Sequence, residues 1–154
     1  MNDGHGVPRA VENRWEDLIA DTEATAAEYE DAGYETLTIH PGDVVVLEDD
    51  LAVDVLAPGN EYRPLAELMD GVAVDEFDVY TAEEGGVDFA MVVAADHDAA
   101  VAVCVPLYME HADADDLVDA ATAAGHVAVH VRPLSDDERV EFTLEDPQLL
   151  FERA

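Results

Sequence analysis

The chain has 154 residues, with 38 acidic side chains against 6 basic ones, every basic one an arginine, and a net charge of −32. Six cations speak against direct binding of DNA or RNA, where phosphate contacts supply most of the affinity, and a content of 49% hydrophobic residues speaks against an acidic disordered chain. Cys104 is the only cysteine, which excludes an intrachain disulfide and a cysteine-based zinc cluster.

Pro8 suits the first turn of a helix. Val11, Trp15, Leu18, Thr22, Ala26 and Tyr29 then recur at spacings of three and four, and Gly33 supplies the stop. Residues 1–7 are expected to form a flexible N-terminus. Tyr34 to His40 alternates as a strand, and Pro41-Gly42-Asp43 makes a turn. Val44 to Leu47 and Leu51 to Leu56 read as short strands around the acidic bend Glu48-Asp49-Asp50. Pro58-Gly59-Asn60 breaks the chain before a short helix from about Arg63 to Asp70, capped by Gly71.

Asp75 to Thr81, Val87 to Ala95 and Ala99 to Leu107 predict three strands. The turns Gly85-Gly86 and Asp96-His97-Asp98 join them into an antiparallel meander. Asp113 is expected to cap a helix that ends at Gly125. Val127 to Arg132 and Val140 to Leu144 make a final pair of strands, joined through Ser135-Asp136-Asp137. Leu149, Leu150 and Phe151 pack in a short C-terminal segment.

Alternation sorts the faces. Val101, Val103, Val105 and Leu107 are expected to share one face with Phe89, Met91 and Val93, joined by the inward residues of the last two strands. The reverse face carries Ala90, Ala94, Ala100, Ala102, Cys104 and Ala128, small enough for the first helix to approach closely. No repeat or linker interrupts the chain. The expectation is a single α+β domain over residues 1–154, a mostly antiparallel sheet covered by the long N-terminal helix and a second helix.

A globule of this length exposes ~7,600 Å², so the net charges lie at a mean spacing of ~15 Å; with a Debye length of ~10 Å at 0.1 M salt neighbouring charges still repel, and with ~3 Å at 1 M the repulsion is largely gone. Self-repulsion at the lower salt destabilises a compact state. The acids are dispersed along the chain with no run of five or six, unlike a nucleic-acid mimic. The pattern reads as adaptation to molar salt, with hydrated cations at the acidic surface. Arginine in place of lysine fits, being more weakly hydrated and bidentate toward carboxylates. Met1 to Gly6 has neither the basic nor the apolar region of a signal peptide. The longest uncharged apolar run, Ala99 to Met109, is short of the ~20 residues of a membrane span. A soluble, cytoplasmic protein with no membrane partner is expected.

Four constellations carry chemistry. Cys104 with His130 offers a thiol and a base, if the two meet; a buried cysteine acting as a small hydrophobe is the simpler account. Glu110-His111 with Asp113, Asp115 and Asp116 offers metal donors, but acids at a helix start are accounted for by capping and the helix dipole, so no metal site is expected. His40, before the turn at Pro41, is available as acid, base or ligand. In His130-Val131-Arg132-Pro133 the two polar side chains alternate with core valines and share a face. There Arg132 either holds a small anion or carboxylate or pairs across the ladder with Glu141 or Thr143. Phosphate loops, metalloprotease motifs and serine-nucleophile motifs are absent, so no catalytic residue and no cofactor is expected.

Glu23-Ala24-Thr25-Ala26-Ala27-Glu28-Tyr29, Leu37-Thr38-Ile39-His40-Pro41-Gly42-Asp43, Ala82-Glu83-Glu84-Gly85-Gly86 and Val131-Arg132-Pro133-Leu134-Ser135 resemble a family of small uncharacterised acidic proteins from halophilic archaea. The resemblance implies a haloarchaeal source and no mechanism. The leading expectation is a non-enzymatic interaction or regulatory module, with a protein partner or as a homodimer. The competing one is a small-ligand binder or minor enzyme using His40, His130 and Arg132.

Overall fold

The computed structural model describes residues 9–135 and 138–151, so Pro8, residues 1–7 and Asp136-Asp137 lie outside the described residues. The first element is α1, Arg9–Asp31. Its stripe falls as the spacing predicts: Val11, Leu18 and Ala26 are buried, and Trp15 and Tyr29 are partly so. Thr22 is buried in the same stripe because its hydroxyl donates to the Leu18 carbonyl at 2.6 Å. Gly33, at φ 96°, ends the helix.

Among the described residues, eight strands form two four-stranded sheets. Sheet A holds β1 (Glu35–Thr38), β4 (Glu76–Glu84), β5 (Val87–Asp96) and β6 (Val101–Glu110) in the order β1-β6-β5-β4. Sheet B holds β2 (Asp43–Leu47), β3 (Ala52–Leu56), β7 (Val127–Arg132) and β8 (Val140–Leu144) in the order β2-β3-β7-β8. The helices α2 (Gly59–Met69), α3 (His111–Ala124) and α4 (Gln148–Phe151) complete the fold. It is the predicted α+β class with helices covering sheet, and most pairings are antiparallel. The strands divide into two sheets rather than the one expected, and within them β1 joins β6, and β3 joins β7, in parallel across long stretches of chain. Alternation fixes a face and not a partner.

One face of sheet A packs on the inner face of sheet B. Val103, Val105 and Leu107 meet Val53, Val55, Val129, Val131 and Phe142, and the layer is closed by Leu65 of α2, Leu117 of α3 and Leu150 of α4. The other face of sheet A lies under α1, where Ala102 and Cys104 sit as expected. The register corrects β5. Ala94 stands opposite Val103 and Val93 opposite Cys104. Ala90, Val92 and Ala94 therefore face sheet B, while Phe89, Met91 and Val93 face α1. β5 is buried on both sides, so its apolar run has no phase to read.

Three local corrections have physical causes. α2 starts at Gly59 rather than Arg63: Pro58 takes the N-cap, and the Tyr62 N–H reaches its carbonyl at 2.8 Å, so Pro58-Gly59-Asn60 opens the helix instead of breaking the chain. α3 starts at His111, with Glu110 rather than Asp113 at the N-cap. The His111 N–H donates to the Gly86 carbonyl at 2.9 Å, continuing the β5–β6 ladder, so the strand runs directly into the helix. Pro106 sits in an interior strand because β1 has ended. The Ile39 N–H bonds the Cys104 carbonyl at 3.0 Å, and two residues on, the missing N–H of Pro106 would point past the end of β1. No described helix is long and apolar enough to cross a membrane.

Candidate functional site

The valines of β3 and β7 point to the core, so the alternate residues point outward. The register aligns Val45, Asp54, His130 and Glu141 in one row across sheet B, with Leu56 beside Arg132 in the next. α1 buries its side chains under sheet A, and α2, α3 and α4 bury theirs in the central layer. Among the described residues, no helix covers this outer face.

Arg132 Nε donates to Asp54 Oδ2 at 2.6 Å, and Nη1 donates to the Pro133 carbonyl at 3.3 Å. Asp54 is buried. The carboxylate thus comes from β3, the parallel neighbour, and not from Glu141 or Thr143 on β8. Glu141 instead stands opposite His130, its Oε1 3.6 Å from His130 Nε2 and 3.6 Å from Arg139 Nη2. His130 is only 3% exposed, and its Nδ1 has no hydrogen-bond partner. Burial first, and the charge of Arg139 second, push its pKa below the ordinary histidine value.

Beyond Glu141 the surface dips into a shallow, open cleft of about 770 Å³ between α2 and β8. Ala66, Met69, Val72 and Val140 supply apolar walls. Glu67, Asp70, Glu138 and Glu141 supply carboxylates, against the single guanidinium of Arg139. β8 is an edge strand of its sheet. Tyr62, at the base, has its phenol pushed up by burial and then by the charge of Glu138.

The structure brings His130 and Arg132 onto one face and leaves His40 elsewhere. His40 follows β1, with Nδ1 2.7 Å from Glu61 Oε2 of α2 and Nε2 3.0 Å from Glu23 Oε2 of α1. Its backbone N–H donates to Glu61 Oε1 at 2.7 Å. The Glu23 hydrogen bond, aided by Glu61 and opposed by partial burial, raises its pKa. Cys104 lies under α1 and His130 on the far face of the other sheet. Burial pushes the thiol up to about 11, so it is a packed hydrophobe rather than a nucleophile.

His111 departs furthest from its sequence reading. It turns to the β4–β5 hairpin, with Nδ1 3.2 Å from Glu83 Oε2 and 3.2 Å from Asp88 Oδ1. Of the acids on its own helix, Asp115 approaches Nε2, at 3.4 Å. One ligand atom each from Glu83, Asp88 and His111 lie within 4.8 Å of one another, the grouping with metal-donor chemistry among the described residues. A signal was present: Glu83 and Asp88 flank Gly85-Gly86 symmetrically, so the turn sets them face to face.

Residues 7–152 match a protein family described as a family of unknown function (DUF7529). No curated protein and no solved structure matches the chain.

Proposed function

Since the chain belongs to DUF7529, a family of unknown function, we propose from its own geometry that it is a non-enzymatic interaction module, receiving an extended, positively charged segment of a partner protein in the cleft between α2 and β8. The cleft carries the reading. Its apolar walls and four carboxylates against one arginine suit a cationic segment with an apolar stem. Its wall is an edge strand, whose outward N–H and C=O groups can accept an added strand. A second copy of this chain, with six arginines in all, offers few cationic side chains to meet the four carboxylates at contact range. The setting is the cytoplasm of a haloarchaeon, with hydrated cations over the acidic surface and reversible loss of far-UV circular dichroism when potassium chloride is dialysed away.

The test is a photo-crosslinking residue at Val72, with a control at Tyr80, in cells or lysate kept in molar potassium chloride. The expected product joins Val72 to one basic peptide segment and is lost in E67Q/E138Q. Equal labelling from Val72 and Tyr80, or crosslinks that survive the double variant, would overturn the reading. A Val72–Val72 crosslink would replace it with a homodimer.

A small carboxylate ligand is the second reading. It draws on the unpartnered Nδ1 of His130 beside Arg132, without His40. Acetate titration followed by the ¹⁵N shift of His130 Nδ1 tests it: a flat response removes it.

A further inference from the structure

We infer that Glu83, Asp88 and His111 form a binding site for one divalent cation, with Asp115 as the positioning residue for the imidazole. Three segments supply the donors: β4, β5 and the first residue of α3. Glu83 and Asp88 stand directly opposite one another in the ladder, an arrangement of like charges that costs stability unless something positive offsets it.

The imidazole shows what offsets it. At His40, each ring nitrogen meets one carboxylate, Glu61 at Nδ1 and Glu23 at Nε2. At His97 the same holds for Asp75 and Glu76. These are ordinary surface ion pairs. At His111 two carboxylates converge on a single nitrogen, both at 3.2 Å, while Asp115 stands at the other. A neutral imidazole has one proton. Glu83 and Asp88 can only accept, so without an ion Nδ1 carries that proton toward Asp88 at 3.2 Å; a cation would displace it there, and Asp115, 3.4 Å from Nε2, is placed to hold the N–H on the other nitrogen, as second-shell carboxylates do for metal-bound histidines.

The distances fit. Two donor atoms each ~2.1 Å from a shared ion, at tetrahedral or octahedral angles, lie ~3.0–3.4 Å apart, and the two N···O separations are 3.2 Å. One imidazole with two carboxylates favours a first-row transition dication over Ca²⁺ or Mg²⁺, which prefer all-oxygen shells. The Glu83 and His111 side chains are 44% and 37% exposed, so an ion has access, while Asp88, at 13%, is held in place. Binding would fasten the start of α3 to the β4–β5 hairpin.

An acidic surface attracts Mn²⁺ everywhere, so the test must read position. In molar potassium chloride, substoichiometric Mn²⁺ is added to the ¹⁵N-labelled protein and amide broadening is mapped. Saturable broadening confined to residues 83–88 and 110–115 is expected, together with one equivalent of Zn²⁺ by calorimetry. H111A should abolish both and D115N should weaken binding about tenfold, while H97A should leave them unchanged. Should H111A fail to fold, E83Q, at an exposed position, carries the same expected loss. Broadening spread evenly over the acidic surface, or an H111A or E83Q protein that titrates like the parent, would overturn the site. An unchanged D115N would remove the role of Asp115.

Discussion

Sheet A turns Phe89, Met91, Val93, Ala102 and Cys104 toward α1, whereas sheet B turns Asp54, His130, Arg132 and Glu141 outward with no described helix above them. Both sheets bury valines on the shared inner side. The difference lies in the other phase of each strand. Small and apolar residues there admit a helix; charged residues alternating with valines hold it off and pair among themselves. In such a chain the polar phase of a buried strand is the better guide to function, because the apolar phase is spent on packing.

The comparison breaks most visibly at the covered face. Leu18→Ala, in the stripe of α1, should cost about 2–4 kcal/mol of stability, measured by urea unfolding at constant molar salt. A cost under ~1 kcal/mol would mean that α1 is not integral to the fold. On the outer face of sheet B, Arg132→Met leaves the buried Asp54 carboxylate without its 2.6 Å partner and should cost about 2 kcal/mol, with part regained in Asp54→Asn/Arg132→Met.

His130 and His40 sharpen the contrast through opposite pH dependence. The folded pKa of His130 lies below the unfolded value of ~6.5. As pH falls below ~6.5 the unfolded chain takes a proton that the folded one refuses, so stability is lost on the acid side. His130→Phe removes that loss and the unpartnered Nδ1, a gain of about 1 kcal/mol at the acidic end. His40, where α1 and α2 meet sheet A, has a raised pKa; its stabilisation is complete below ~6.5 and is lost as pH rises through the folded value. His40→Gln should remove this smaller effect, under ~1 kcal/mol for a half-exposed group. Urea midpoints between pH 5 and 8 read both, and slopes of the same sign would refute the assignment. The smallest effect is expected at Val45, 41% exposed at the edge of the outer face of sheet B: Val45→Thr should stay within ~0.5 kcal/mol.

Much of this was legible in the sequence. The stripe of α1, the three-strand meander and the shared face of His130 and Arg132 follow from periods of 3.6 and 2. The partner of Arg132 was not legible, because a parallel neighbour such as β3 leaves no turn between the two strands to mark it. The faces of β5 were hidden by burial on both sides. His111 was read with the acids of its own helix, though Gly85-Gly86 already paired Glu83 with Asp88. Short-range geometry was visible there, and the β6-to-α3 junction that delivers the imidazole was not.

The contact between Asp54 and Arg132 spans 78 positions of chain, while the β4–β5–β6 meander closes through two tight turns. Loop closure makes distant pairings the slow ones. The meander is therefore expected to lead folding, with the β3–β7 junction sealed last. An interaction formed after the rate-limiting step governs how long the native state lasts rather than how fast it arises. In a chevron, Arg132→Met should steepen nothing and slow nothing on the refolding limb, but lift the unfolding limb. The ion pair on the outer face of sheet B would then act as the latch that sets the protein's lifetime.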